Sequence, residues 1–363
     1  MTTQSLSVGE PAPWFSAAAS SNRTDMVAFD ELAGRHIVLF FFDSAARPEI
    51  ADILTAFGRR GDLFDDRHAT FVGISRDPQD FERDCVRRRR GSCRVLWDVD
   101  GTVAQQYGVA DPSGVRPAAF VLDPALQILD IAMATEPVEL VERITTRLGE
   151  RLANPPAPRS APVLVVPNVF DRLFCDRLVE LYEATGGREI GAIEFGGKVV
   201  EKFDPEFRKR LDWYISDNGA LQRARYLLQR RLLPMVHQGF QFNTTRIERY
   251  LVGCYDAITG GHFRAHRDNM SPVAAHRRFA VTINLNDAYE GGQLTFPEFG
   301  PQTYGAAPGD AIVFSCSLLH EVVPVTSGRR YAFLSFLYDE QGQQIRDAYA
   351  KQFAASQKSV AAN

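Results

Sequence analysis

No stretch of this 363-residue sequence approaches the ~18 consecutive apolar residues that a membrane-spanning helix needs, so no membrane partner is expected. The opening residues lack a basic segment followed by an apolar one, and no secretory signal is read there. Cysteine is scarce and dispersed: Cys85, Cys93, Cys175, Cys254 and Cys316 form no Cys-x-x-Cys pair and no zinc spacing. An odd, scattered set points to reduced thiols and a cytoplasmic location. Excess positive charge is missing as well. A formal charge of −4 argues against general nucleic-acid affinity. The one basic run, Arg87-Arg88-Arg89-Arg90, reads as a solvated helix end or turn.

What is present is the composition of an ordinary globular protein, 45% hydrophobic and 24% charged. At ~150 residues per domain the length predicts two domains. Between them, Pro155, Pro156, Pro158 and Pro162 stiffen residues 151–162 into an extended linker. The expected division is a first domain over 5–150, the linker over 151–162, and a second domain over 163–345 with its catalytic core at about 245–340.

The second domain carries the chemistry. His266-Arg267-Asp268 precedes an alternating strand, Phe279-Ala-Val-Thr-Ile-Asn-Leu-Asn286, and Gly291-Gly292 follows. His320 and Arg330 come later. Residues two apart on a strand project to one face, so His266 and Asp268 can share an ion. With His320 they make two imidazoles and one carboxylate, the facial set that suits non-haem Fe(II) and leaves positions open for O₂ and a co-substrate. Ala311-Ile-Val-Phe-Ser-Cys316 reads as an apolar strand after the turn Pro308-Gly309-Asp310, favouring an antiparallel roll. Thr326-Ser327-Gly328 reads as a hairpin loop, which would set Arg330 ~10 Å along the ladder from His320. That spacing suits a short dicarboxylate held by metal at one end and a guanidinium at the other.

Taken as an ordered set, His266, Asp268, His320 and Arg330, in His-x-Asp…His-x-x-x-Pro-Val-x-x-Gly-x-Arg, make residues 245–340 resemble the prolyl 4-hydroxylase-type Fe(II)- and 2-oxoglutarate-dependent dioxygenases. The resemblance implies a double-stranded β-helix (jelly roll) with supporting helices. It also implies Fe(II), 2-oxoglutarate and O₂ as cofactor and co-substrates, succinate and CO₂ as products, and ascorbate as a reductant that rescues the iron. A tyrosine before the His-x-Asp strand contacts the co-substrate in that family. Tyr255 and Tyr250 both compete for the role, and core packing is the alternative for either. Thr282 and Asn284 lie on the polar face of their strand and are candidate pocket residues, with a solvent-facing side as the alternative. Leu221, Leu228, Leu232 and Val236 recur at helical spacing, and Asp204-Pro205-Glu206 reads as a helix start.

In the first domain, His36-Ile-Val-Leu-Phe-Phe-Phe42, a helix from Pro48 to Arg59, and Thr70-Phe-Val-Gly-Ile-Ser75 suggest a βαβ unit, with an antiparallel pair after it. Val8-Gly-Glu-Pro-Ala-Pro13, Trp97-Asp-Val-Asp-Gly101 and Arg116-Pro-Ala-Ala-Phe-Val-Leu-Asp123 resemble the peroxiredoxin branch of the thioredoxin fold. That resemblance puts Pro117 where such folds place a cis-proline. It also implies a peroxidatic cysteine after the first buried strand, yet the corresponding stretch is Asp43-Ser-Ala-Ala-Arg-Pro48. This α/β domain is therefore expected to be redox-inactive.

The expected whole is an α+β two-domain dioxygenase hydroxylating a peptidyl proline, an amino acid or a small metabolite. Two other readings remain open at this stage: an adaptor that binds through the thioredoxin-like domain, and a thiol peroxidase using Cys85 or Cys93. A homodimer is suggested only by analogy with thioredoxin-like proteins.

Overall fold

The computed structural model describes residues 6–19, 26–87, 93–111, 114–133, 137–190, 193–195, 198–200 and 204–361. Arg88, Arg89 and Arg90 of the basic run lie outside the described residues. No helix of the described residues is long and apolar enough to cross a membrane. The chain divides into two compact units, residues 1–160 with 297–301, and residues 161–296 with 302–363.

The first unit is built on the run that reads as a buried strand. His36–Phe42 is buried along its whole length as an interior strand of a seven-stranded sheet. It pairs in parallel with Ala69–Ser75, which pairs in parallel with Cys93–Trp97. On its other side it pairs antiparallel with Ala118–Leu122, and that strand with Ile128–Met133. Such continuous apolar runs require cover on both faces. The helices Pro48–Arg59 and Pro137–Ala153 supply it on one face, where Ile50, Ile53, Phe57, Ile144 and Leu148 pack against Val38, Phe40 and Phe42. Each such phenylalanine contributes about 1.5–3 kcal/mol by leaving water. Tyr107, Phe41 and Phe120 form an aromatic group with mutual ring distances of 4.8–5.7 Å. No cis peptide bond occurs among the described residues, so Pro117 is trans, contrary to the expectation.

The second unit is a roll of two antiparallel sheets. The larger runs Leu164–Val166, Ala311–Ser315, Phe279–Asn284, Val325–Tyr338, Arg246–Asp256, Leu211–Tyr214, with Tyr289–Gly291 also on Val325–Tyr338. The smaller runs Arg208–Lys209, His262–His266, His320–Val322, Leu294–Thr295, Thr303–Tyr304. Alternation along the larger sheet divides its two faces. Val252, Cys254, Ile283, Tyr331 and Phe333 join one core cluster with Phe174 and Leu178 of the helix Arg172–Thr185 and Ala220 and Ala224 of the helix Asn218–Leu227. Leu251, Tyr255, Thr282, Arg330 and Leu334 instead line a cavity of about 230 Å³. Leu228, Leu232 and Val236 are fully buried, as their spacing predicts. They span a π-helical turn at Leu228–Leu232 just before Pro234, which has no N–H to continue the regular ladder.

Two expectations change. Thr326-Ser327-Gly328 is not a hairpin loop, because Val325–Tyr338 is one long strand and Gly328 pairs with Tyr289. Gly328 has φ 69°, and a Cβ there would stand 2.3 Å from Ala288 O. The glycine therefore allows a close strand approach where the sequence suggested a turn. Asp204 caps a single turn by accepting from Glu206 N at 3.0 Å, and the chain then enters the strand Arg208–Lys209. Strand pairing to His262–His266 overrides the helix signal there.

Candidate metal centre and co-substrate cavity

Pairing of His262–His266 with His320–Val322 sets His266 directly opposite His320, which brings the distant histidine into place. The strand ends at His266, and Asp268 enters from the following turn, its N–H donating to Cys316 O at 2.9 Å. Ligand atoms of His266, Asp268 and His320 all lie within 4.8 Å of one another. Nε2 of His266 is 3.5 Å from one Asp268 carboxylate oxygen, and Nε2 of His320 is 3.4 Å from the other. On the far side of each ring, Nδ1 meets a backbone carbonyl: Arg264 O at 2.8 Å and Leu318 O at 3.0 Å. A carbonyl only accepts, so each Nδ1 carries the proton and each Nε2 presents a lone pair to the shared space. Phe263 stacks on His266 at 3.6 Å between centroids, and Phe314 meets His320 edge-on at 4.6 Å.

Electrostatics favour the ligating forms. Burial, followed by the neighbouring His266, pushes the His320 imidazole down to about 4, so it is neutral near pH 7. Burial pushes the Asp268 carboxyl up, but His320 and His266 outweigh it and hold it well below the usual carboxylate range. Two imidazoles with their Nε2 atoms turned inward and a carboxylate between them fit a divalent metal of the non-haem iron type.

Arg330 is buried in the same cavity and stands directly opposite Tyr255 in the sheet. Its Nη2 donates to Thr282 Oγ1 at 3.4 Å, and its guanidinium lies 5.4 Å from the Tyr255 ring centroid. No carboxylate of the described residues is within salt-bridge distance of it. A buried cation without a counter-ion costs several kcal/mol, which an incoming carboxylate would offset. Space for the side chain depends on Gly292 (φ 70°), where a Cβ would come within 2.9 Å of Arg330 Cδ. Tyr255 is held from behind by Arg210, whose Nη1 donates to its hydroxyl at 3.2 Å while the guanidinium grips Asp212.

The sequence candidates therefore separate. His266, Asp268, His320, Arg330, Tyr255 and Thr282 meet at one cavity. Tyr250 lies on the other face of the sheet, packed against the helix-side core. Asn284 is not in the cavity lining; its amide is taken up by Asn286 O at 2.6 Å, Ala306 O at 3.0 Å and the Tyr289 hydroxyl at 3.0 Å. That side chain ties loops together at the end of its strand.

Several cavity residues escape sequence reasoning. Arg277 pairs with Glu248 at 2.7 Å and donates to Asp268 O at 3.3 Å, bracing the turn that carries the carboxylate. His276 shares the same glutamate. Arg249 sits at a break in the strand register between Glu248 and Leu251, with φ 62°. A left-handed conformation costs a non-glycine residue roughly 1–2 kcal/mol. Bulges of this kind re-aim side chains near functional sites, and Arg249 lines the cavity. The alternation Arg208-Lys209-Arg210, with the two arginines on one face, was the available signal for Arg208.

In the first unit the position after the buried strand is built differently. Ser44 donates to Asp77 at 2.7 Å and Asp80 at 3.2 Å. Asp80 is fully buried and also accepts from Ala45 N, Ser75 Oγ and Arg83 Nε at 2.7–2.9 Å. Two carboxylates facing this hydroxyl are the opposite of the electropositive setting that activates a thiolate. None of the five cysteines is in a disulfide. Burial pushes Cys175 up to about 12 and Cys254 to about 11. Cys85 and Cys93 pack at the edge of the helix-side core.

Comparison with known proteins bears on both units. Residues 250–338 match the model of the 2OG-Fe(II) oxygenase superfamily, and residues 8–131 match that of the AhpC/TSA family. A PKHD-type hydroxylase of Saccharophagus degradans is 35% identical over 96 residues, covering 24% of this chain and 42% of that protein. One of Thioalkalivibrio sulfidiphilus is 34% identical over 118 residues, covering 30% and 52%. The chain thus spans about half or less of the length of these relatives. A solved prolyl-4-hydroxylase of Pseudomonas putida aligns with TM-score 0.38 and 18% identity over 52% of this chain and 95% of its own. Peroxidoxin BcpB of Mycobacterium tuberculosis aligns with TM-score 0.36 and 24% identity over 42% and 99%. At those scores the architecture rests on the strand order described above. The chain carries an AhpC/TSA-family domain at residues 8–131 and a 2OG-Fe(II) oxygenase-superfamily domain at residues 250–338.

Proposed function

We propose that the protein is an Fe(II)- and 2-oxoglutarate-dependent dioxygenase that hydroxylates a C–H bond. The observation that carries this reading is the convergence of His266, Asp268 and His320 within 4.8 Å in a cavity that also receives Arg330, which has no carboxylate partner among the described residues. Iron bound there supplies the O₂ chemistry that couples conversion of 2-oxoglutarate to succinate and CO₂ with placement of one oxygen atom in a substrate C–H bond. The chain's own part is placement. Arg264 O and Leu318 O fix both imidazoles in the ligating tautomer. Arg330, beside Thr282 and Tyr255, receives the distal carboxylate of 2-oxoglutarate through a bidentate fork. Phe263 and Phe314 wall the histidines against water, which strengthens every charge interaction inside. Peptidyl proline, a free amino acid and a small metabolite are the candidate substrates, and the hydroxylase names of the curated relatives support the reaction type.

The test is succinate formation by the full chain supplied with Fe(II), 2-oxoglutarate and ascorbate as reductant. Turnover that requires 2-oxoglutarate and disappears in His266→Ala is expected. Turnover that survives that substitution would refute the assignment. The N-terminal unit, in this reading, binds or positions and does not reduce peroxide. Peroxide consumption with a thiol reductant should remain at background, and robust consumption would overturn that part. Cysteines outside any disulfide fit a reducing, cytoplasmic setting.

A further inference from the structure

The arginines of the cavity differ in what already neutralises them. Arg210 is locked to Asp212 by two bonds of 2.6 and 2.9 Å, and Arg277 grips Glu248 at 2.7 and 3.2 Å. Arg330 is reserved for the co-substrate. Arg267, which also lines the cavity, donates to Ser317 O. Arg208 and Arg249 remain. Arg208 has no carboxylate of the described residues within salt-bridge distance, and its guanidinium lies 5.5 Å from the Phe263 ring, beside the metal-ligating His266. Arg249 reaches Glu248 Oε1 only at 3.5 Å, an oxygen that already accepts from Arg277 Nη2 at 2.7 Å. Both side chains are half-buried. Burial, together with Arg210 beside Arg208 and Arg277 beside Arg249, pulls both guanidinium groups below their usual range, the sign of cations crowded by other cations. Arg249 is also among the charges that act on Arg208.

Charge counting gives this surplus a meaning. A divalent metal, the Asp268 carboxylate, the 2-oxoglutarate dianion and Arg330 cancel, so Arg208 and Arg249 add positive charge that this set does not balance. The backbone is bent to keep one of them there, because the bulge at Glu248/Leu251 turns Arg249 into the cavity at a conformation that disfavours side chains. Arg249 enters beside Phe336, whereas Arg330 stands opposite Tyr255 six residues along the partner strand, so the two cations come from different ends. Resting on the dioxygenase reading, we propose that the molecule oxidised in this cavity is a small carboxylate- or phosphate-bearing compound whose oxyanion is held by Arg249 and Arg208. The cavity of about 230 Å³, open to solvent, must admit the co-substrate together with the group that is oxidised, so the part of the substrate that enters is small.

The experiment is calorimetric titration of the full chain, loaded with Zn(II) in place of iron and saturated with N-oxalylglycine, a 2-oxoglutarate analogue that fills the Arg330 end. Methyl phosphate and acetate are the two probes. At least one should bind saturably, and whichever binds more tightly identifies the anion type. Arg249→Gln and Arg208→Gln should each weaken that binding at least tenfold while the affinity for N-oxalylglycine changes less than twofold. Arg249→Lys keeps the charge and should fall between Arg249→Gln and the parent protein, which separates lost charge from lost folding. Absence of saturable binding by the loaded parent protein, or binding unchanged in both glutamine variants, would overturn the proposal. Failure of N-oxalylglycine itself to bind the metal-loaded protein would instead remove the dioxygenase reading, and the proposal with it.

Discussion

Ser44 follows the central strand of one unit by two residues, and His266 ends a strand of the other, yet their surroundings differ in kind. Ser44 has its hydroxyl spent on Asp77 and Asp80, and its neighbourhood is saturated with internal hydrogen bonds. His266 has one ring nitrogen spent on a carbonyl and the other aimed at an imidazole–carboxylate pair. Nearby, Arg330 has no acidic partner among the described residues. Satisfied polar groups make a structure, whereas unsatisfied ones make a site. The first unit keeps its fold because the fold depends on the apolar strands and helices, which do not need the missing cysteine.

Breaking the metal centre should have the largest effect. Asp268→Ala should abolish metal retention and reduce succinate formation by more than the ~10–100-fold typical of residues that only support a ligand. Metal content measured on the purified variant, alongside turnover, checks this. Arg330→Gln should raise the KM for 2-oxoglutarate by about 10–100-fold, from the loss of charged hydrogen bonds worth roughly 1.5–3 kcal/mol, while metal content is unchanged. Gly292→Ala, which pushes on Arg330 Cδ at a left-handed position, should raise the same KM several-fold and cost about 1 kcal/mol of stability, visible in a denaturant titration. Ser44→Cys should have the smallest effect, with peroxide consumption staying at background. Asp77 and Asp80 disfavour a thiolate, so the new thiol should titrate above the ordinary ~8.5, read from alkylation rate against pH. A value below 7 with peroxide turnover would erase the contrast between the units.

Much of this was legible in the sequence, for identifiable reasons. Phe40 and Phe42 lie in an apolar run that suits only a buried strand, and Pro48 and Arg59 bound a helix whose ends the structure reproduces. His266, Asp268 and His320 stood out because that donor set is costly to keep without an ion. Other features depend on pairing between distant segments, which composition does not encode. Gly328 carries a turn signal but sits in a strand because Tyr289 pairs with it. Asp204 carries a helix-cap signal but caps a single turn because Arg208 and Lys209 pair with Phe263 and His262. Asn284 alternates correctly, yet the loop carbonyls of Asn286 and Ala306 claim it first. Arg249 was hidden most deeply, since one inserted residue in a ladder leaves no trace in residue types.

Anaerobic titration of the full chain with Fe(II) and then 2-oxoglutarate, followed by visible absorption, tests the central claim most directly. The account predicts a weak metal-to-ligand charge-transfer band that saturates with 2-oxoglutarate and is absent in Asp268→Ala. A folded protein that binds Fe(II) and 2-oxoglutarate without such a band, or that binds neither, would contradict it.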